Sequence, residues 1–95
     1  MAKKAQQQRN VVVEIPLQDG WMSMYTGRLV RRTPTEIILD DVAWIASTGR
    51  RNEFFAGKPD SNCEVEPYPS GSLMSLPAAG AIVTDYPFPL PRSVR

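Results

Sequence analysis

The chain has 95 residues, of which 42% are hydrophobic, with a formal net charge of +1; a single domain of this size buries only somewhat more than about 60% of its unfolded surface, so its core is thin and self-association is a natural source of further burial. Near-neutrality gives no global field to attract nucleic acid or membrane, so any basic patch has to be local. One cysteine, Cys63, and no histidine exclude an internal disulfide, a zinc site within one chain and imidazole acid–base chemistry, and neither an enzyme nor a cofactor or metal is expected.

Residues 1–9 are polar and carry Lys3, Lys4 and Arg9 without an acid, which reads as a flexible basic tail or a frayed helical turn. They contain no apolar h-region, and no run in the chain approaches the roughly 20 apolar residues of a membrane span. A soluble, cytoplasmic protein without a membrane role is expected. A single domain over residues 10–91 then follows, with residues 92–95 as a C-terminal tail.

The first strand carries Val11, Val13, Ile15 and Leu17 in alternation, and Asp19-Gly20 supplies a hairpin turn. The second strand, residues 21–32, is long enough to serve two sheets if it bends at Gly27. Trp21, Ser23 and Tyr25 lie on one side and Met22, Met24 and Thr26 on the other, so apolar groups occupy both faces. Either both faces are covered in a tightly curled barrel, or a neighbouring subunit covers one. Pro34 makes Arg31-Arg32-Thr33-Pro34-Thr35 a turn. The third strand, residues 36–45, carries Ile37-Ile38-Leu39, is interrupted by Asp40-Asp41, and resumes with Val42-Ala43-Trp44-Ile45.

Ser47 or Thr48 can cap a short helix running through Phe54, Phe55 and Ala56, with Gly57 as its stop. A fourth strand is expected at 63–68 with Val65 inward, and a fifth at 81–88. The segment 67–81 between them reads as a long loop of Pro, Gly and Ser, although Leu73, Met74 and Leu76 are too apolar to be freely solvated. Pro87, Pro89 and Pro91 recur every second residue and remove amide donors from one edge, which resists further strand pairing. The expected fold is therefore mainly β: a small, five-stranded, strongly bent barrel with a short helix between the third and fourth strands.

This layout resembles the Sm-like family, which includes the Sm and LSm proteins and bacterial Hfq. The first motif of that family has an apolar strand, a D-G or N-G turn, a strand ending in G-x-Φ, and a strand of consecutive aliphatics followed by an acidic or amide residue. Val11, Val13, Asp19-Gly20, Gly27-Arg28-Leu29, Ile37-Ile38-Leu39 and Asp41 match it in order. The family's second motif, I-x-G or a lysine–histidine pair that supplies much of the RNA pocket, has no counterpart, and the helix-like segment 47–57 is inserted. With Trp44 and the segment Pro59-Asp60-Ser61-Asn62-Cys63, the chain is also similar to small Sm-like proteins of phage and metagenomic origin. The resemblance implies a homo-oligomeric ring, with a pentamer favoured, and an RNA-metabolism role.

If RNA is bound as in the family, the residues concerned are Arg31, Arg32, Thr33, Pro34 and Thr35, in the turn where Hfq-type proteins hold a uridine against an aromatic ring. No aromatic stands there. A ring of five copies would place about ten arginine charges at one rim, enough for salt-sensitive phosphate contacts. The plainer reading is an exposed turn whose arginines are compensated by Glu36 or Asp40. Arg50, Arg51 and Lys58 form a second basic group beside Phe54 and Phe55, readable as a nucleic-acid patch or as a solvated helix face. Asp40 and Asp41 point to opposite faces and cannot converge on a ligand without a bulge. The competing function is a phage accessory protein whose ring binds a protein or small ligand in clefts lined by Trp21, Tyr25 or Trp44, with no nucleic-acid role.

Overall fold

The computed structural model describes residues 9–92. It is mainly β, with one short helix: β1 (Asn10–Pro16), β2 (Met22–Arg32), β3 (Glu36–Ser47), α1 (Arg51–Phe55), β4 (Glu64–Pro67), β5 (Leu73–Pro77) and β6 (Ile82–Asp85). The strands form one antiparallel sheet in the order β4-β3-β2-β1-β6, and β5 pairs with β3. Hydrogen bonding does not close this sheet into a ring of strands among the described residues. Lys3 and Lys4 lie outside the described residues, but Arg9 is attached to the sheet: its carbonyl accepts from the Leu29 amide and its guanidinium pairs with Asp85.

β1 lies between β2 and β6. Val11, Val12 and Val13 are all fully buried, because both faces of the sheet are covered here. Val11, Val13 and Ile15 join Ile37, Leu39, Val42 and Leu76 in one cluster. Val12 joins Ala43, Ile45, Phe54, Cys63, Val65 and Tyr86 in a second. The long second strand contributes to both, Tyr25 and Leu29 packing on the first and Met24 on the second.

β3 supplies side chains to both clusters because its phase changes half-way. Thr26 pairs with Ala43 and Arg28 with Asp40, so β3 carries one residue more than β2 across this interval. Asp41 is the bulged position, at φ +50°, in the left-handed region that Asp tolerates better than most residues. Ile37, Leu39 and Val42 consequently share one face, and Ala43 and Ile45 take the other. Gly27 lies opposite this irregularity, where a Cβ would stand 3.0 Å from both the Asp40 carbonyl oxygen and Leu39 Cβ. Only glycine lets the two backbones come this close.

Several expectations need correction. The hairpin connection spans residues 17–21, with Gly20 at φ +90° near its tip, so Trp21 precedes β2. Residues 67–81 are not one loop, since Leu73–Pro77 is a strand, giving six strands rather than five. The Pro, Gly and Ser of that stretch lie mainly at its ends, and Met74 and Leu76 alternate inward onto the first cluster. Neither Ser47 nor Thr48 caps the helix, which begins at Arg51 after an Arg50 N-cap that makes no side-chain cap bond. Ser47 Oγ instead accepts from the Gly49 amide at 3.1 Å, while Asp60 carboxylate oxygens accept from the amides of Arg50 at 3.1 Å and Asn62 at 2.9 Å. A residue ten positions downstream holds the start of the helix, an interaction that local capping rules do not foresee.

Gly57 does end the helix. At φ +81° it donates to the Phe54 carbonyl at 3.0 Å, and Lys58 donates to the Glu53 carbonyl at 2.9 Å, the paired bonds of a Schellman motif. The expected last strand stops early, at Asp85. Tyr86 turns inward, its amide donating to the Asn10 carbonyl at 2.8 Å, and the Asn10 side-chain amide donates to the Phe88 carbonyl at 2.8 Å. Arg92 then donates to the carbonyls of Asp41 at 3.2 Å and Tyr68 at 3.1 Å. The proline-rich end therefore leaves the edge and straps the second cluster, where Phe54, Tyr86 and Phe88 follow one another with centroids 5.2 Å apart at each step.

A Cβ on Gly57 would meet Phe88 Cγ and Cδ1 at 2.5 Å, whereas one on Gly71, at φ +85°, would meet nothing within 4 Å. Gly71→Ala should therefore cost only the left-handed backbone penalty, about 1–2 kcal/mol. Gly57→Ala should cost at least about 1 kcal/mol more through overpacking, a further loss of roughly 4–8 °C in Tm by circular dichroism. Equal losses would show that the Phe88 ring does not constrain the helix end.

Burial raises the Tyr86 phenol above its ordinary pKa of 10.0, with the neighbouring Cys63 adding to the shift. The protonated form is favoured in the fold, so its contribution is fully present below the unfolded pKa and is lost as pH rises through the folded one. Tm should fall above about pH 10, and Tyr86→Phe should flatten that fall. An unchanged alkaline profile in the variant would exclude Tyr86 as its source.

Candidate functional site

The turn after β2 is built around one hydroxyl. The Thr33 amide donates to the Glu36 carbonyl at 2.9 Å, and Thr33 Oγ1 accepts from the amides of Glu36 at 3.1 Å and Thr35 at 3.3 Å. The Thr35 carbonyl accepts from the Ala78 amide at 3.1 Å, which ties the turn to the chain beyond β5. Pro34 and Thr35 are exposed.

A second irregularity sets the directions of the arginines. Leu29 pairs with Leu39 but Arg31 pairs with Ile38, so β2 carries one extra residue at Val30. Without it, Arg31 would follow Leu29 toward the first cluster. With it, Arg31 shares a face with Ile38, and Arg32 shares the opposite face with buried Ile37. The five residues expected at the site thus lie together at one strand end, but their guanidinium groups leave the ribbon on opposite sides. Both arginines are exposed. Among the described residues neither forms an ion pair: Glu36 accepts from the Ser75 hydroxyl, and Asp40 is engaged by Arg28.

Arg28 Nη2 lies 2.9 Å from Asp40 Oδ2 and 3.2 Å from Asp41 Oδ2. The bulge brings the two carboxylates to one partner, as adjacent residues of a regular strand could not be. The guanidinium pKa is raised, chiefly by the Asp40 hydrogen bond and then by the Asp40 charge, against a desolvation cost and with a smaller contribution from Asp41. This group carries a net negative charge, so it keeps anions away from the middle of β2. Thr26 Oγ1, Arg28 Nε and Asp40 Oδ1 are buried without a hydrogen-bond partner among the described residues.

The second basic group does not stay together. Arg51 Nη2 donates to Glu14 Oε1 at 2.9 Å and Oε2 at 2.8 Å, and its guanidinium carbon stands 4.9 Å from the Phe55 ring centroid. The Glu14 side chain is only 8% exposed, so the pair supplies the countercharge that a buried carboxylate requires. Arg50 and Lys58 remain exposed without ion pairs among the described residues. Sequence reasoning misses Glu14 as the partner of Arg51. The signal that could have found it is Val12, an apolar neighbour on the same face of β1, which shows that this face is covered.

Of the aromatic residues considered for a cleft, two meet and Trp21 stands apart. Trp21 is 71% exposed at the hairpin, Tyr25 packs against the first cluster, and Trp44 pairs with Tyr25 across β2 and β3. Trp44 does line an open groove of about 310 Å³ with Glu66, Pro67, Tyr68 and Pro69, beside the pairing of Trp44 with Glu66 across β3 and β4. No helix among the described residues is long and apolar enough to cross a membrane. Comparison with family models, curated proteins and solved structures finds no significant match to this chain.

Arg51→Ala should destabilise the fold by about 2 kcal/mol, the scale for a buried charged group losing its hydrogen bonds. Arg50→Ala should change stability by less than about 0.5 kcal/mol. Urea denaturation of both variants measures the difference, and equal values would contradict the assignment of Arg51 to Glu14.

Proposed function

We propose that this chain is a non-enzymatic, ring-forming protein of the Sm-like type that binds single-stranded RNA at the turn between β2 and β3. Three features support the architecture. The last strand returns to pair with the first, a mid-strand bulge gives β3 two buried faces, and β4 and β5 share one edge of β3, together standing where a single fourth strand is expected. Such features belong to strongly bent small barrels. The outer edges of β4 and β6 have no partner strand among the described residues. Head-to-tail pairing of two different edges generates a ring when the rotation closes, and a pentamer is the assembly that the family resemblance favours.

The observation that carries the binding reading is the Arg31–Arg32 pair: two exposed guanidinium groups without ion pairs among the described residues, beside a turn held by its own hydrogen bonds. A second reading has a separate support. The groove at Trp44 and Tyr68 suits a protein or small ligand, and in that case the protein is an accessory factor with no nucleic-acid role.

Light scattering behind size exclusion should give a single closed oligomer, and a monomer at micromolar concentration would overturn the ring. Salt-titrated binding of oligo-U and oligo-A should weaken steeply as salt rises. Loss of binding in Arg31→Ala/Arg32→Ala with retention in Trp44→Ala places the ligand at the turn. Absence of salt-sensitive binding to either oligonucleotide favours the accessory reading.

A further inference from the structure

We infer that the β2–β3 turn engages the phosphate backbone alone, reading neither base nor sugar, so that its substrate class is single-stranded nucleic acid irrespective of sequence. This inference rests on the nucleic-acid reading above.

Base readout needs a stacking surface or unsatisfied hydrogen-bonding groups aimed at base edges. The turn offers no aromatic ring: Phe54, Tyr86 and Phe88 are stacked in the second cluster, Phe55 packs beside it, Tyr25 packs on the first cluster, Trp44 and Tyr68 line the groove beside β4, and Trp21 stands at the opposite end of β2. Its amides are also committed. Those of Thr33, Thr35 and Glu36 donate within the turn, and Pro34 has none. The Thr33 hydroxyl oxygen, the natural partner for a ribose 2′-OH, already accepts from the amides of Thr35 and Glu36. The Thr35 hydroxyl lies 3.4 Å from Thr33 Oγ1, which leaves the two guanidinium groups as the charged donors.

Those two groups diverge. Arg31 leaves the ribbon on the face of Ile38 and Arg32 on the face of Ile37, so they cannot form one fork around a single base edge. Divergent cations at a strand end can instead meet successive phosphates of a chain passing over that end. Mid-strand, the Asp40–Asp41 pair exceeds the single charge of Arg28, which confines an anionic chain to the rim.

The test measures binding of oligo-U, oligo-A and oligo-dT of equal length to the intact assembly across a salt series. Affinities within about threefold of one another at every salt concentration support the inference, because a base edge or 2′-OH read by hydrogen bonds would separate them by about tenfold or more. A tenfold preference for one base, or for oligo-U over oligo-dT, overturns the inference and leaves nucleic-acid binding intact. Absence of salt-dependent binding to all three overturns the nucleic-acid reading itself.

Exposed substitutions supply the second arm. Arg31→Lys/Arg32→Lys should keep affinity within about threefold, since a phosphate accepts either cation, whereas stacking of a planar guanidinium would not survive the change. Arg31→Ala/Arg32→Ala should reduce the slope of log affinity against log salt by about 0.7 for each phosphate that is no longer neutralised. Unchanged slope with an unchanged melting curve would remove the arginines from the site.

Discussion

Asp41, held at φ +50° in the middle of β3, is the constraint on which the rest of the structure depends. Side chains in a strand alternate with a period of two, so one inserted residue exchanges the faces of everything beyond it. Here the exchange gives Ile37, Leu39 and Val42 to one cluster and Ala43 and Ile45 to the other. The described residues of this short chain form one sheet. It reaches two-sided burial by having one strand serve both sides, and the uninterrupted Val11-Val12-Val13 of β1 is the matching solution on the neighbouring part of the sheet.

The distribution of positive charge follows from the same geometry. Arg28 is drawn to the carboxylates that the bulge brings together, and Arg51 is drawn to Glu14, which β1 buries next to Met24. Both arginines are therefore taken up by pairings within the fold. Arg31 and Arg32 stand beyond the second irregularity, at Val30, where the strand end is open and the nearby acids are otherwise engaged. A protein of net charge +1 can in this way present a local cationic patch without a global field.

Much of the architecture is legible in the residues, and what is not has physical causes. Alternation and Gly27 reveal the first three strands because those signals are local. β5 is hidden because Pro, Gly and Ser at its ends outweigh the inward alternation of Met74 and Leu76. The start of the helix is obscured because its support comes from Asp60, across a loop, rather than from the hydroxyls of Ser47 and Thr48. Within the candidate site, the position of the turn is readable. The divergence of Arg31 and Arg32 is not, because it depends on a bulge that only cross-strand register reveals. Arg51 and Lys58 look alike in sequence, and only the burial of Glu14 distinguishes their roles.

The bulge is gripped from two sides. Arg28 engages the Asp41 carboxylate, while Arg92 donates to the Asp41 carbonyl and reaches on to the Tyr68 carbonyl. The C-terminal strap thus does more than cover the second cluster: it bonds to the residue that sets the phase of β3. That phase fixes which residues of β3 face which residues of β2, and the pairing of Arg31 with Ile38 and Arg32 with Ile37 is part of the same register. A slip of one residue would turn Ile37 and Leu39 out of the first cluster and expose the apolar row to water. Because the core opposes that slip, the strand faces from which Arg31 and Arg32 leave are held by packing at a distance from the turn.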